Sequence, residues 1–132
     1  MSTLPAWSDS LSVGNEELDE QHRQLIVFCN RLADFSAARS PETVKHFHNL
    51  LIDLIRLVDQ HFGEEERILL NNKCPSFQIH RTQHNEYREM LVEMLQAGIA
   101  GKLHAKEIYK FTKDGLIRHM QVRDLLDKDF MV

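Results

Sequence analysis

The apolar repeat that leads into His61 and Glu65 constrains the fold of this chain more than any other feature. Apolar residues recur at helical spacing from Leu50 to Val58, and the same face continues into His61 and, four residues later, Glu65. A carboxylate on a buried helix face costs roughly several kcal/mol unless it is paired or bound to a metal. No lysine or arginine lies nearby on that face. The stretch therefore predicts a helix that carries metal ligands into a core.

The composition is that of an ordinary globular protein with an unusual number of histidines. The 132 residues include 27% charged residues and eight histidines, and the net charge is −4. We expect one domain over residues 1–132. The mild acidity gives no electrostatic reason to expect nucleic acid or a membrane surface as a partner, and no apolar run is long enough to span a bilayer. With two cysteines and no signal-peptide pattern, we expect a cytoplasmic protein with reduced thiols.

Four segments of helical periodicity predict an all-α fold. Their start signals are caps at Asn15, at Ser40 before Pro41, and at Ser76. The last three predicted helices cover about residues 41–72, 76–97 and 103–128. Short links between four helices imply an up-down-up-down antiparallel four-helix bundle.

The sequence also predicts an N-terminal arm, the end of the third helix and one inward-facing residue of the fourth helix. Residues 1–14 show no steady period and are expected to form an extended N-terminal arm that Trp7 packs against the bundle. Gly98 and Gly101 are expected to break the third helix. Leu126 is placed on the inner side of the fourth helix.

Side chains that can bind metal fall on the inner face of every predicted helix. They lie near the beginning of the first and third helices and near the end of the second and fourth, so antiparallel threading brings them to one end of the bundle. The candidate metal ligands are His22, His61, Glu65, His80, His84, His119 and Asp124. Any one histidine is more simply a hydrogen-bonded core residue, but seven such residues at one level favour a metal site.

The spacing of His119 and Asp124 does not place both side chains on one face of a regular α-helix, because five residues turn the helix well past one revolution. Either the short Asp124 side chain reaches sideways, or a local widening of the helix brings it onto the inner face.

The donor count predicts two ions. Five imidazoles and two carboxylates are too many for one octahedral ion, whereas two ions that share both carboxylates use all of them. Imidazole with carboxylate suits iron, zinc, copper or nickel, and octahedral preference with redox activity favours iron. A tetrahedral structural zinc site is least favoured. If the histidines split three and two and a solvent oxygen also bridges, one iron keeps a vacant position for a small molecule.

Short motifs spread over nearly the whole chain carry a family resemblance. They are Trp7, Ser12-Val13-Gly14, Asp19-Glu20-Gln21-His22, His61-Phe62 with Glu65-Glu66, His80-x3-His84 and His119-x4-Asp124. With these motifs the chain resembles the hemerythrin family, in particular the single-domain bacteriohemerythrins.

The resemblance implies a non-heme protein, not an enzyme, with two oxo- or hydroxo-bridged iron ions that bind O2 reversibly for storage, buffering or delivery. It gives the saturated iron His80, His84 and His119, the open iron His22 and His61, and both irons the bridging carboxylates of Glu65 and Asp124. Leu116, just before His119, is expected to line the O2 pocket.

The chain departs from the family pattern in three places. Gly115 stands where the family has a large aromatic residue, commonly Trp, while Cys74-Pro75 replaces Tyr-Pro and Leu69 replaces Met. At Gly115 either a neighbouring side chain fills the space or the O2 pocket is opened to a wider channel.

Two alternative functions stay open beside O2 binding. One is an O2, redox or iron sensor that acts on a separate partner, and the other is a di-iron peroxidase or oxidase with a pocket opened at Gly115. Ferritin-like oxidases use Glu-x-x-His motifs, and no histidine here has a glutamate three residues before it. We expect a monomer with O2 as its ligand; the sequence identifies no protein partner.

Four further residues complete the expectations for the site. His46, His48 and His104 lie outside the ligand pattern and are expected to face solvent. Glu66 is hypothesised to hydrogen-bond a ligand imidazole from the side.

Overall fold

The computed structural model describes residues 5–132, and these residues form a bundle of four helices. The helices are α1 (Glu16–Ala33), α2 (Pro41–Asn71), α3 (Phe77–Ile99) and α4 (Ala105–His119). α4 continues into a π-helical turn at Met120–Asp124, and single 3-10 turns occur at Asp9–Leu11 and Lys128–Phe130. α2 packs against α1 and α3, and α4 closes the bundle against the same two helices. The predicted all-α, up-down-up-down bundle is confirmed.

Two of the three predicted helix caps are present. The side chain of Asn15 accepts a hydrogen bond from the backbone N–H of Leu18, and Ser40 accepts one from Thr43. The cap predicted at Ser76 is wrong, because its hydroxyl makes no capping hydrogen bond. The backbone of Ser76 (φ −93°, ψ 15°) lies outside the extended region that an N-cap side chain normally needs.

Apolar side chains from α1 and α2 form the centre of the bundle. Leu25 and Leu32 of α1 and Leu51, Leu54 and Val58 of α2 are all fully buried. The α2 residues belong to the apolar repeat that leads into His61 and Glu65, so the same helix face continues toward the candidate metal ligands.

The third helix ends later than predicted. Gly98 lies inside α3 and is buried, and a Cβ placed on it would stand 2.8 Å from Cδ1 of Ile108. Gly98 therefore lets α3 and α4 approach closely and does not break the helix. The break comes at Gly101, whose φ of +74° is a left-handed conformation that glycine adopts without steric cost.

The described part of the N-terminal arm is tied to α1. Trp7 packs against the core, with the guanidinium carbon of Arg23 4.9 Å from its ring centroid. The carboxylate of Asp19 accepts hydrogen bonds from the hydroxyl of Ser12 at 2.6 Å and from the N–H of Val13 at 2.9 Å. The 3-10 turn interrupts this arm at Asp9–Leu11, and Ser8 and Ser12 on either side of it have extended backbone conformations. Residues 1–4 lie outside the described residues.

Residues 5–132 bear on two expectations from composition, reduced cysteines and no membrane-spanning segment. Both cysteines are buried and form no disulfide. Within that range, no helix combines the length and the apolar character that crossing a membrane requires.

Candidate metal centre

The structure brings all seven candidate ligands together at one end of the bundle. Six of them are buried, and only His119 is slightly exposed. Their donor atoms form two overlapping groups, and within each group all atoms lie within 4.8 Å of one another. The first group is Glu65, His80, His84, His119 and Asp124, and the second is His22, His61, Glu65 and Asp124. Either group can hold a metal ion, and the two carboxylates belong to both.

Glu65 stands between the two groups of histidines and turns one oxygen to each. Its Oε1 lies 2.8 Å from Nε2 of His80 and 3.2 Å from Nε2 of His84. Its Oε2 lies 2.9 Å from Nε2 of His61 and 3.2 Å from Nε2 of His22. The two oxygens of Glu65 therefore belong to different groups of donors.

Asp124 divides its oxygens in the same way. Oδ1 lies 3.0 Å from Nε2 of both His80 and His119, and Oδ2 lies 3.2 Å from Nε2 of His22. Both oxygens are buried, yet neither makes a well-aligned hydrogen bond. Buried carboxylate oxygens normally have hydrogen-bond partners, and a bound cation would give those of Asp124 a partner.

The donor spacing also fits metal ions. An octahedral ion with bonds of about 2.1 Å places neighbouring ligand atoms about 3.0 Å apart. The shortest carboxylate-to-imidazole distances at Glu65 are 2.8 and 2.9 Å, and the Nε2 atoms of His84 and His119 lie 2.9 Å apart. The donor set therefore fits both the spacing and the nitrogen and oxygen chemistry of a transition-metal site.

The π-helical turn explains how Asp124 reaches the centre. Residues Met120–Asp124 form this wider turn directly after His119, so of the two alternatives for Asp124 the local widening of the helix is the one that the backbone adopts. The extra residue shifts every later inward position, and Asp127 is consequently buried while Leu126 is 66% exposed. The prediction that Leu126 faces inward is therefore wrong.

Carboxylates outside the donor set accept hydrogen bonds from the Nδ1 atoms of two imidazoles, on the side of each ring away from the centre. Nδ1–H of His80 donates to Oδ2 of Asp127 at 2.8 Å, and Nδ1–H of His84 donates to Oε2 of Glu66 at 2.9 Å. When the imidazole is neutral, such a bond fixes the tautomer in which Nε2 keeps its lone pair toward the centre, as a metal ligand requires. The hypothesis for Glu66 is confirmed, but sequence reasoning missed Asp127, since its inward position depends on the π turn.

Sequence reasoning also missed the role of Gln21, although the residue is part of the motif that precedes His22. Its side-chain oxygen lies 2.7 Å from Nδ1 of His61 and accepts a hydrogen bond from that nitrogen. The corresponding Nδ1 of His22 is buried without a hydrogen-bond partner. Adjacency to a ligand histidine was the one available signal for Gln21.

Charge in the metal-free centre is balanced between imidazolium and carboxylate groups. Burial lowers the pKa of a histidine, but the carboxylates of Asp124 and Glu65 raise the pKa of His22 and His80 to about 10 and that of His119 to about 9. Burial opposes ionisation of the two carboxylates as well, yet the surrounding histidines hold the pKa of Glu65 and Asp124 well below the usual range.

These pKa shifts predict how the stability of the metal-free protein depends on pH. The raised histidine pKa values stabilise the fold below about pH 6.5, and this contribution disappears as the pH rises toward 9 or 10. The lowered carboxylate pKa values stabilise it above about pH 4.3, and this contribution is lost as the pH falls. The urea midpoint with a chelator present should therefore peak between about pH 4.3 and 6.5. A midpoint that rises from about pH 7 to 9 would contradict the shifts.

The space around Gly115 is filled. A Cβ placed on Gly115 would stand 2.7 Å from Cε1 of Tyr87, whose hydroxyl donates to the backbone oxygen of Thr112 at 2.7 Å. Of the two expectations for Gly115, a neighbouring side chain that fills the space is the one that the contacts support. Leu116 is buried beside it.

Two of the three remaining histidines face solvent as expected. His46 and His104 are exposed, but His48 is half-buried, so the prediction for His48 is wrong. Its Nε2 would lie 3.1 Å from a Cβ placed on Gly98, because α2 and α3 approach closely at this glycine.

Comparison with known proteins agrees with this geometry. The family model described as hemerythrin HHE cation binding domain matches residues 13–127. A hemerythrin-like protein of Naegleria gruberi is 28% identical over 127 residues, which cover 94% of this chain and 93% of that protein. A myohemerythrin of Theromyzon tessulatum is 25% identical over 118 residues, which cover 89% of this chain and 86% of that protein.

A crystal structure of wild-type hemerythrin has the same fold. It superposes with a TM-score of 0.88 at 21% sequence identity and covers 98% of each chain. At this identity the likeness concerns the fold alone. The family assignment comes from the match over residues 13–127, which spans all four helices and every candidate ligand. This chain therefore belongs to the hemerythrin family and carries its cation-binding domain.

Proposed function

We propose that this chain is a non-heme di-iron protein that binds O2 reversibly, for storage, buffering or delivery. The observation that carries the proposal is that each of the two buried carboxylates has its two oxygens beside different groups of histidines. Glu65 and Asp124 each turn one oxygen toward His80 on one side and the other oxygen toward His22 on the other. Two carboxylates divided in this way suit a pair of neighbouring ions better than a single ion.

The two groups of donors give the proposed ligands of each ion. One ion takes His80, His84 and His119, the other takes His22 and His61, and Glu65 and Asp124 serve both. The ion held by His22 and His61 would have fewer protein ligands, so O2 would bind there. When bound, the two iron ions supply two electrons reversibly and a position for O2.

Apolar and aromatic side chains pack around the imidazoles of the group of three histidines. Phe62 is buried and stacks on the imidazole of His84 with ring centroids 3.7 Å apart, so it holds this imidazole in one orientation. Tyr87 packs edge-on against Phe62, and Leu116 is buried just before His119. In the proposed function this packing keeps water away from the centre, which favours release of O2 unchanged.

The donor chemistry favours binding over oxidation. Five neutral imidazoles and two carboxylates carry less negative charge than the carboxylate-rich centres of ferritin-like oxidases, so they stabilise highly oxidised iron less well. Tyr87 fills the space at Gly115, and this removes the structural reason for an opened peroxidase pocket. We therefore propose a binding protein and not an enzyme.

The optical spectrum of the reduced protein tests the proposal. The chain is loaded with Fe(II) without air, exposed to O2 and then purged with argon, with metal-free protein as the control. A charge-transfer band that appears with O2 and disappears on purging is expected. Irreversible conversion to the ferric form, with peroxide released, contradicts reversible binding and favours an oxidase or a redox sensor.

A further inference from the structure

Two of the three histidines in the larger donor group, His80 and His84, donate Nδ1–H to a carboxylate, whereas neither histidine of the smaller group does. In the group of three, Glu66 accepts from His84 and is itself paired with Arg88, whose Nη2 lies 2.9 Å from Glu66 Oε2. Nδ1 of His84 is thus held by a carboxylate that has its own cationic partner.

A second arginine and carboxylate pair stands behind His80. Asp127 accepts from Nδ1–H of His80 and is held in place by Arg123, whose Nε and Nη2 lie 3.1 and 3.0 Å from its two oxygens. Asp127 is 3% exposed, so this pair is shielded from solvent.

The group of two histidines has no carboxylate in this position. His61 donates its Nδ1–H to the neutral amide oxygen of Gln21 at 2.7 Å, and Nδ1 of His22 is buried without a partner. The difference matters because a carboxylate acceptor draws on the Nδ1 proton more strongly than an amide does. The imidazole then becomes a stronger donor to metal through Nε2.

We propose that Gln21 is a positioning residue that keeps the metal position of His22 and His61 the weaker of the two. The inference rests on the proposed pair of ions. The ion at His80, His84 and His119 binds first and leaves last, whereas the ion at His22 and His61 binds second and is exchangeable. The chain therefore passes through a one-ion state, and the amide of Gln21 sets how easily it does so.

An anaerobic calorimetric titration with Fe(II), in competition with a chelator, tests this inference. The wild-type chain should bind two ions per chain in two separate steps. Gln21→Glu has the same shape as the natural residue and supplies a carboxylate, so it should tighten the weaker step by about 10- to 100-fold and leave the tighter step unchanged. Gln21→Leu removes the acceptor and should weaken the same step by a similar factor.

A matched control separates the hydrogen bond from the added charge. Gln24 lines the same groove of about 340 Å3 between α1 and α2, together with Gln21 and His61, but is exposed to solvent. Gln24→Glu should leave both steps unchanged. The reverse substitution, Glu66→Gln, should weaken the tighter step by about 10- to 100-fold and leave the weaker one as it is.

The outcomes distinguish this inference from the proposed function. Fewer than two ions per wild-type chain would overturn the pair of ions and this inference with it. Two ions of equal affinity, a weaker step that ignores both Gln21 variants, or equal shifts from Gln21→Glu and Gln24→Glu would overturn only the role of Gln21. Opposite shifts from the two Gln21 variants support it, because a general loss of folding would weaken binding in both.

Discussion

The variant Glu65→Gln is expected to lose both metal ions. An amide keeps the shape of the side chain but removes its charge, and its nitrogen presents N–H donors where a metal ligand must present a lone pair. Glu65 is fully buried, and its two oxygens lie 2.8 and 2.9 Å from His80 and His61, one in each donor group. Since loss of an outer hydrogen-bond partner typically costs about 10- to 100-fold in metal affinity, loss of a shared ligand should cost more for both ions.

The measurement is iron per chain after loading and gel filtration, with Glu64→Gln as the control. Glu64 is the preceding residue on α2, and it pairs with Arg67 on the surface. The control should bind as much iron as wild type, while Glu65→Gln should retain fewer than one ion per chain. Circular dichroism of both metal-free variants checks that the helices are intact. Retention of two ions by Glu65→Gln would refute the shared role of this carboxylate.

The second large effect concerns Gly115, where Gly115→Trp is expected to destabilise the bundle. Real Cβ atoms essentially never approach another atom closer than 3.0 Å, and a Cβ here would stand 2.7 Å from Cε1 of Tyr87. The tyrosine ring must move, and overpacking of this kind costs about 1 to 3 kcal/mol. Gly63→Trp is the matched control, because Gly63 lies in α2 with nothing within 4 Å of its Cβ position.

A double substitution tests whether Tyr87 is the reason. Tyr87→Ala alone should also destabilise the bundle, but by less than the roughly 3 to 5 kcal/mol of a fully buried aromatic side chain, because Tyr87 is only partly buried. Combined with Gly115→Trp, the total loss should be smaller than the sum by about 0.5 to 3 kcal/mol, because the tryptophan then occupies the vacated space. Urea unfolding of the metal-free proteins measures all three values. Strict additivity would show that the two positions do not compete for the same space.

The bundle and the convergence of the ligands could be predicted because both follow from periodicity. A period of 3.6 residues places His61 and Glu65 on one face, and antiparallel threading brings the start of α3 with His80 beside the end of α2. These arguments need no knowledge of side-chain packing. The same is true of the caps at Asn15 and Ser40, whose hydrogen bonds are local in sequence.

The features that were missed depend on packing or on an irregular backbone. The spacing of His119 and Asp124 allows a wider turn but does not indicate how that turn shifts the residues after it, so a regular helical period predicts Leu126 inward and misses Asp127. Gly98 resembles a helix breaker in sequence, whereas its role is to admit a neighbouring helix. The contact of Tyr87 with Gly115 joins α3 to α4, and a hydrophobic period does not specify such pairings.

The central claim is that donors from four helices surround two ions. X-ray diffraction from crystals of the iron-loaded protein, recorded on both sides of the iron absorption edge, tests it most directly. The anomalous difference map should contain two peaks per chain, one beside His80, His84 and His119 and the other beside His22 and His61, with Glu65 between them. A single peak, or peaks away from these side chains, would contradict the account.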